Sequence, residues 1–237
     1  MRVALIGVGK MGQQIHELLK KEEHISVVLI GKDRANNWRQ ELSACDVAIE
    51  FTRPDQVVQN LQDCFDLGVP VVTGTTGWEE FKEVIFAQCE AAKGTLFYAS
   101  NFSLGVHLFD KLVQWFSGVM GKYPEYKAEL EEIHHIHKKD APSGTAIRIA
   151  ESFIQNHPVY SAWSATEREG SAILPIHAHR VGEVVGTHSL RFFSPYDEIK
   201  LTHNAFNRSG FAAGAIEAAK FVINKKGIFT MNDLIPV

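Results

Sequence analysis

The stretch Glu132–Ala146, read EIHHIHKKDAPSGTA, gathers three histidines, two lysines and a Ser-Gly-Thr turn into one short span of a 237-residue chain. Histidine titrates near neutrality and suits general acid work. After the turn, Ala146, Ile149, Ala150, Phe153 and Ile154 recur at helical spacing, which predicts a helix over 146–154. A helix N-terminus presents free N–H groups to an anion. Asp140 or Ser143 can cap it, Gly144 and Thr145 can offer amides to a carboxylate, and Lys138 adds a point charge beside them. The chemistry implied is a proton donor next to a seat for a small anion.

Other readings of the same residues compete with this one. His135 and His137 stand two apart on a strand and could ligate zinc, but no Cys, Asp or further His stands at a matching spacing. Lys138 and Lys139 would repel a dication, so no metal is expected. His134 alternates with Tyr126, Ala128 and Leu130 and could be a satisfied core histidine. Glu132 is read as either the partner of a nearby cation or solvent-exposed. The acid reading of His134 gains weight from what precedes it in the chain.

Arg2–Ile6 is a short β-rich run, followed by Gly7-Val8-Gly9-Lys10-Met11-Gly12 and then by Met11, Ile15, Leu18 and Leu19 at helical spacing. Strand, G-x-G-x-x-G turn and helix are the setting of a dinucleotide fingerprint. Strands are expected at 25–30, 46–51, 69–73 and 95–99, separated by helical patterns. Strict βα alternation with short connections predicts an α/β fold with a Rossmann-type doubly wound parallel sheet. Ligands of such sheets sit beyond the carboxyl ends of the strands. Polar or glycine-rich turns occupy those ends: Gly7–Gly12, Phe51–Pro54 with Arg53, Gly74–Gly77, and Ser100–Ser103. After the second strand the expected acid is absent, and the run is Gly31-Lys32-Asp33-Arg34. Lys32 and Arg34 suit a 2′-phosphate and Asp33 a ribose hydroxyl, so the cofactor is read as NADPH or NADH, with a lean to NADPH.

The second half changes character. A helix over 104–119 leads out, a strand runs over 126–137, and β-rich runs follow at 172–181, 184–193 and 198–205. Val181-Gly182-Glu183 reads as a tight connection between the first two of these runs. The segment between His157-Pro158 and Gly170 reads as a loop with Trp163 as an anchor. A second α+β domain on a four-stranded mixed sheet is expected over 104–208, for substrate and subunit contacts. The Ala-rich helix near Phe211–Val222 is expected to return to the first domain, which then comprises 1–103 and 209–237.

Composition fits this picture and excludes others. A net charge of -4 gives no reason to expect nucleic acid. No apolar run approaches the roughly 20 residues of a membrane span, and MRVALIGVGKMG reads as a first strand, not a signal peptide. Cys45, Cys64 and Cys89 are read as reduced core thiols of a cytoplasmic protein.

HHIHKKDAPSGTA closely resembles the signature of the dihydrodipicolinate reductases. The resemblance extends to GVGKMG, FTRP, GTTG, SNFSLGV and THNAFNRSGFAAGA, nearly the whole chain. It implies reduction of a small cyclic dicarboxylate to tetrahydrodipicolinate in the diaminopimelate route to lysine, with NADPH or NADH, by a cytoplasmic homotetramer. It implies His134 as acid and Lys138 as its assistant. His135, Ser143, Gly144 and Thr145 then hold substrate, and Gly7–Gly12, Gly74, Thr75, Thr76, Ala99, Ser100, Asn101 and Phe102 contact the cofactor. The alternatives are another nicotinamide-dependent enzyme acting on a different small carboxylic acid, and a redox-sensing NAD(P)H-binding protein without chemistry. The latter would have no need of the His-Lys cluster.

Overall fold

β1 (Arg2–Ile6) shows why the first half of the chain forms a two-faced sheet. Val3, Ala4 and Leu5 are fully buried. Val3 and Leu5 pack into one core and Ala4 and Ile6 into the other, as the two-residue period of a strand requires. The computed structural model describes residues 1–31, 37–166 and 172–236.

The chain divides into two units, Met1–Leu104 with Ser209–Val237, and Gly105–Arg208. In the first, α1 (Lys10–Leu19), β2 (Ser26–Ile30), α2 (Trp38–Ser43), β3 (Val47–Glu50), α3 (Pro54–Asp66), β4 (Val71–Thr73), α4 (Lys82–Ala91) and β5 (Thr95–Tyr98) follow β1 in βα alternation. α5 (Leu104–Met120) then leads into the second unit. α7 (Ser209–Val222), β11 (Gly227–Phe229) and α8 (Met231–Leu234) close the first unit. The sheet has the order β11-β5-β4-β3-β1-β2 and every pairing is parallel. Six strands replace the five expected, because β11 is only three residues long and carries no periodic signal. α1, α7 and α8 cover one face, and α2, α3 and α4 the other. The order reverses at β1, between β2 and β3, so the crevice lies beyond the ends of those strands.

The second unit holds β6 (Lys127–His134), α6 (Gly144–Asn156), β7 (Ala162–Ser164), β8 (Ile173–Arg180), β9 (Gly186–Phe193) and β10 (Glu198–Ala205). Their order is β10-β9-β6-β8-β7, five strands rather than four. The added strand is Ala162–Ser164, inside the segment read as a loop, and three residues are too few to show a period. β8 and β9 do not form a hairpin. They flank β6, β8 parallel to it and β9 antiparallel. The 181–185 connection therefore crosses the end of β6, where the Val181 N–H donates to the His134 carbonyl at 2.8 Å. That crossing ends β6 at His134, three residues before the expected boundary, and puts His135–His137 in a turn. One face of the sheet packs Ala128, Leu130, Leu190 and Phe192 against Phe109, Val113, Ile149 and Phe153 of α5 and α6.

Small residues set the spacing in the first unit. A Cβ on Gly214 of α7 would stand 1.7 Å from the Phe102 carbonyl oxygen, a backbone atom that cannot move aside. Gly214→Ala is expected to cost about 3 kcal/mol through overpacking, measured by chemical unfolding. A stability equal to that of the parent chain would contradict the packing described.

Candidate active site

The first unit carries a cleft of about 490 Å³ beyond the ends of β1, β2 and β3. Gly7, Val8, Gly9, Gly31, Phe51, Thr52 and Arg53 line it, with Gln56, Gln59 and Asn60 on α3. Gly7 has φ +96°, and a Cβ there would lie 2.2 Å from the Phe51 carbonyl oxygen, so the tight turn demands glycine. A Cβ on Gly9 would meet nothing within 4 Å, which leaves that backbone open to a ligand. A Cβ on Gly12 would collide with the Gly7 carbonyl, so α1 lies directly on the turn. An exposed turn, a helix starting at Lys10 and a polar flank on α3 fit a dinucleotide.

Beneath this cleft Glu50 is fully buried at the end of β3. Its carboxylate accepts from the Thr73 hydroxyl at 2.6 Å, the Asn60 amide at 3.2 Å, the Thr52 N–H at 3.1 Å and the Thr52 hydroxyl. The Thr75 hydroxyl accepts a second contact from the Thr52 N–H at 2.8 Å. One buried acid thus ties the Phe51–Pro54 turn to the end of β4 and to α3.

Among the expected cofactor residues, Gly7, Val8, Gly9 and Arg53 line the cleft. Lys10, Met11 and Gly12 form the first turn of α1. Gly74 packs on the Phe51 ring, and Thr75 is buried beside Thr52 and precedes Thr76. Ala99, Ser100 and Asn101 follow β5, and the Phe102 ring lies in the core against Phe97 and Phe51. Lys32 and Asp33 lie outside the described residues. Gln56, Gln59 and Asn60 were missed, although they form a polar stripe at i, i+3, i+4 beside the apolar Val57 and Leu61.

In the second unit the site is built on β6, whose even-numbered residues all face the core. Glu132 is fully buried, which excludes the solvent-exposed reading. Its Oε1 accepts from the Ser143 N–H at 3.0 Å and from Arg180 Nη2 at 3.2 Å. Its Oε2 lies 3.1 Å from His134 Nδ1, an ion-pair distance without the alignment of a hydrogen bond. Burial pushes the Glu132 carboxyl up, but His134 and Ser143 outweigh it and hold it at about 2. His188, opposite Glu132 on β9, packs edge-on to His134 with ring centres 5.2 Å apart. Burial pushes His188 down to about 4, helped by the charge of His134. It is therefore a neutral neighbour at pH 7 and no second acid.

α6 starts at Gly144, two residues before the expected position. Ser143 is the cap: its hydroxyl accepts from the Ala146 N–H at 3.1 Å and lies 3.4 Å from His188 Nε2. Lys138 makes two 2.8 Å contacts to the carboxylate of Asp140. Arg180 fastens the intervening loop, donating to the carbonyls of Lys138 at 3.1 Å and of Asp140. His135 Nε2 lies 3.4 Å from Arg208, while His137 is exposed beside Glu183. The structure thus joins His134 to Ser143 through Glu132 and sets Gly144 and Thr145 at the helix start. His188 and Arg180 were missed because they come from distant strands, and Arg208 because it lies in the turn before α7.

The donor atoms of Glu132, His134 and His188 all lie within 4.8 Å of one another. Arg180 already neutralises this carboxylate, and the cation Lys138 sits on the adjoining loop. That balance suits a proton-handling cluster better than a dication.

Comparison with known proteins agrees across the chain. The family described as dihydrodipicolinate reductase, N-terminus, matches residues 1–102, and its C-terminus counterpart matches 105–235. The 4-hydroxy-tetrahydrodipicolinate reductase of Christiangramia forsetii is 40% identical over 235 residues, 99% of this chain and 98% of its own. In fold, the chain is similar to a dipicolinate-bound dihydrodipicolinate reductase from Paenisporosarcina sp. TG-14, with TM-score 0.75, 24% identity and 97% of each chain covered. An engineered D-amino acid dehydrogenase bound to NADP+ shares the fold at TM-score 0.55 and 12% identity, over 100% of this chain and 96% of its own.

The shifted groups give a pH dependence. His188 binds its proton more tightly in the unfolded chain, where its value is 6.5, so stability falls as pH drops from about 6.5 to about 4. Glu132 has an unfolded value of 4.5 and contributes stability that is complete above it and lost as pH falls toward about 2. His188→Gln is expected to flatten the upper part of this decline in unfolding experiments between pH 7 and 4. An unchanged slope would contradict the buried neutral histidine.

Proposed function

The chain belongs to the dihydrodipicolinate reductase family, and on that premise we propose how its residues divide the work. The activity is that of a 4-hydroxy-tetrahydrodipicolinate reductase, an oxidoreductase of diaminopimelate and lysine biosynthesis that uses a pyridine nucleotide. The substrate is a small cyclic dicarboxylate.

Reduction of a conjugated cyclic imine needs a proton at the carbon beside the one that accepts hydride. It also needs a seat for two carboxylates. The nucleotide, when bound in the cleft of the first unit, supplies the hydride. Gly7–Gly12 and Arg53 are its proposed holders, with Gly74–Thr76 and Ala99–Phe102. Either NADPH or NADH fits this proposal. In the second unit His134 is the proposed acid and Lys138 the assisting donor. The Gly144 and Thr145 amides, with the Ser143 hydroxyl, take a substrate carboxylate at the N-terminus of α6, and His135 orients the ring. The observation that carries this reading is the pairing of His134 with a buried, ionised Glu132 whose other oxygen holds the Ser143 amide. Proton donor and anion seat are thereby built on one carboxylate.

The Lys138–Asp140 pair supports the same roles. A partly exposed lysine held by an acid two residues away can exchange that partner for a substrate carboxylate at little cost. A cytoplasmic location, homotetrameric assembly and division into a nucleotide domain (1–103, 209–237) and a substrate domain (104–208) belong to the same proposal. They are supported by the resemblance of the motifs.

The test is a coupled assay in which the synthase product is supplied with NADPH or NADH and nicotinamide absorbance is followed. Oxidation is expected with at least one nucleotide, and none with either would refute the activity. His134→Gln should lower kcat by about 10² to 10⁴-fold, the worth of a general acid, with cofactor affinity preserved. Normal turnover in that variant would remove His134 from the acid role. Lys138→Ala should raise the KM for substrate and lower kcat, and an unchanged KM would take Lys138 out of the site.

A further inference from the structure

The two oxygens of Glu132 have different tasks. Oε1 is taken by the Ser143 amide and by Arg180. Oε2 is buried and has no hydrogen bond among the described residues, and neither has His134 Nδ1. These two atoms face each other at 3.1 Å. On the far side of the ring, His134 Nε2 lies against Gly186 at the start of β9, where a Cβ would stand only 3.0 Å away. The missing side chain at 186 keeps a Cβ off that nitrogen.

We propose that Glu132 is a positioning residue for the proton donor. Its Oε2 keeps a proton on His134 Nδ1, so that Nε2 is the atom that delivers one. This rests on the reductase reading above and deepens it. In the step, the Nε2–H bond of the imidazolium breaks and its electron pair stays on nitrogen. The enamine electron pair of the reduced substrate forms the new C–H bond. The ring is left as the neutral Nδ1–H tautomer, the form whose Nδ1–H faces the Glu132 Oε2 charge. Solvent then restores the proton.

The charged neighbours are consistent with this assignment. Arg180 on β8 balances Glu132 through the other oxygen, on the side away from the His134 ring that helps to hold the carboxylate ionised. His188 on β9 is neutral at pH 7 and places no cation against the ring. His203 on β10 and Lys138 in the loop act on His188, and Asp140 in the same loop feels the Glu132 charge. Lys138 is itself paired with Asp140. The arrangement is that of an oriented base or acid whose partner fixes both tautomer and ring direction.

The experiment compares wild type, Glu132→Gln, Glu132→Asp, His134→Gln and the Glu132→Gln/His134→Gln double variant in steady-state turnover across pH. Glu132→Gln is expected to lower kcat by about 10 to 100-fold, at or below the lower end of what the general acid itself supplies, with kcat falling by a larger factor than KM rises because the Gln carbonyl can still accept from the Ser143 N–H. The alkaline limb of its pH profile should move to lower pH, and Glu132→Asp should restore part of the rate. In the His134→Gln background the same substitution should have no further effect on kcat. An unmoved limb, or an equal loss of rate with and without His134, would overturn the proposal and leave Glu132 a structural residue. If Glu132→Gln does not fold, ¹⁵N NMR of the wild-type ring decides: neutral His134 as the Nδ1–H tautomer supports the proposal, and as the Nε2–H tautomer overturns it. A wild-type chain without turnover would refute the reductase reading, and the tautomer measurement would still judge this inference separately.

Discussion

A carboxylate with no exposure to water must be paid for by its partners, and Glu132 has them on both oxygens. Ser143 begins α6, Arg180 ends β8 and fastens the 138–140 loop, and His134 ends β6. Removing any one would leave a buried charge or an unpaired donor. The geometry of the His134 ring, the loop and the helix start is therefore specified by one charge rather than by three separate contacts. The first unit repeats the device. Glu50, buried at the end of β3, holds Thr52, Thr73 and Asn60 and so fixes the turns that line the cleft of the first unit. In both units a glutamate near the carboxyl end of a strand organises loops, and the loops carry the chemistry.

Sequence reasoning reached the parallel sheet because β1–β5 alternate with amphipathic helices and because the G-x-G-x-x-G turn sits between a strand and a helix. It reached the cap of α6 because Ser143 precedes helical spacing. It stopped where contacts are long-range. Arg180 meets Glu132 across 48 positions and His188 meets Ser143 across 45, and no local pattern links them. Parity could have gone further. Ala128, Leu130, Glu132 and His134 share one face of β6, so the argument that turned His134 inward also turned Glu132 inward. His188 likewise shares its face of β9 with Leu190 and Phe192.

The order β9-β6-β8 was not legible either. A short connection between two strands reads as a hairpin, yet here it crosses β6. Nothing in Val181-Gly182-Glu183 distinguishes the two, because the choice is made by which strand fills the middle of the sheet. The consequence is functional: the crossing caps β6 at His134 and brings Gly186 against its ring.

The claim that His134 and the start of α6 form one dicarboxylate site is tested most directly by titrating ¹⁵N-labelled protein with dipicolinate. The account predicts that the largest changes fall on the amides of Ser143, Gly144 and Thr145 and on the His134 ring nitrogens. Saturable binding that leaves those signals unmoved and perturbs residues elsewhere would contradict it.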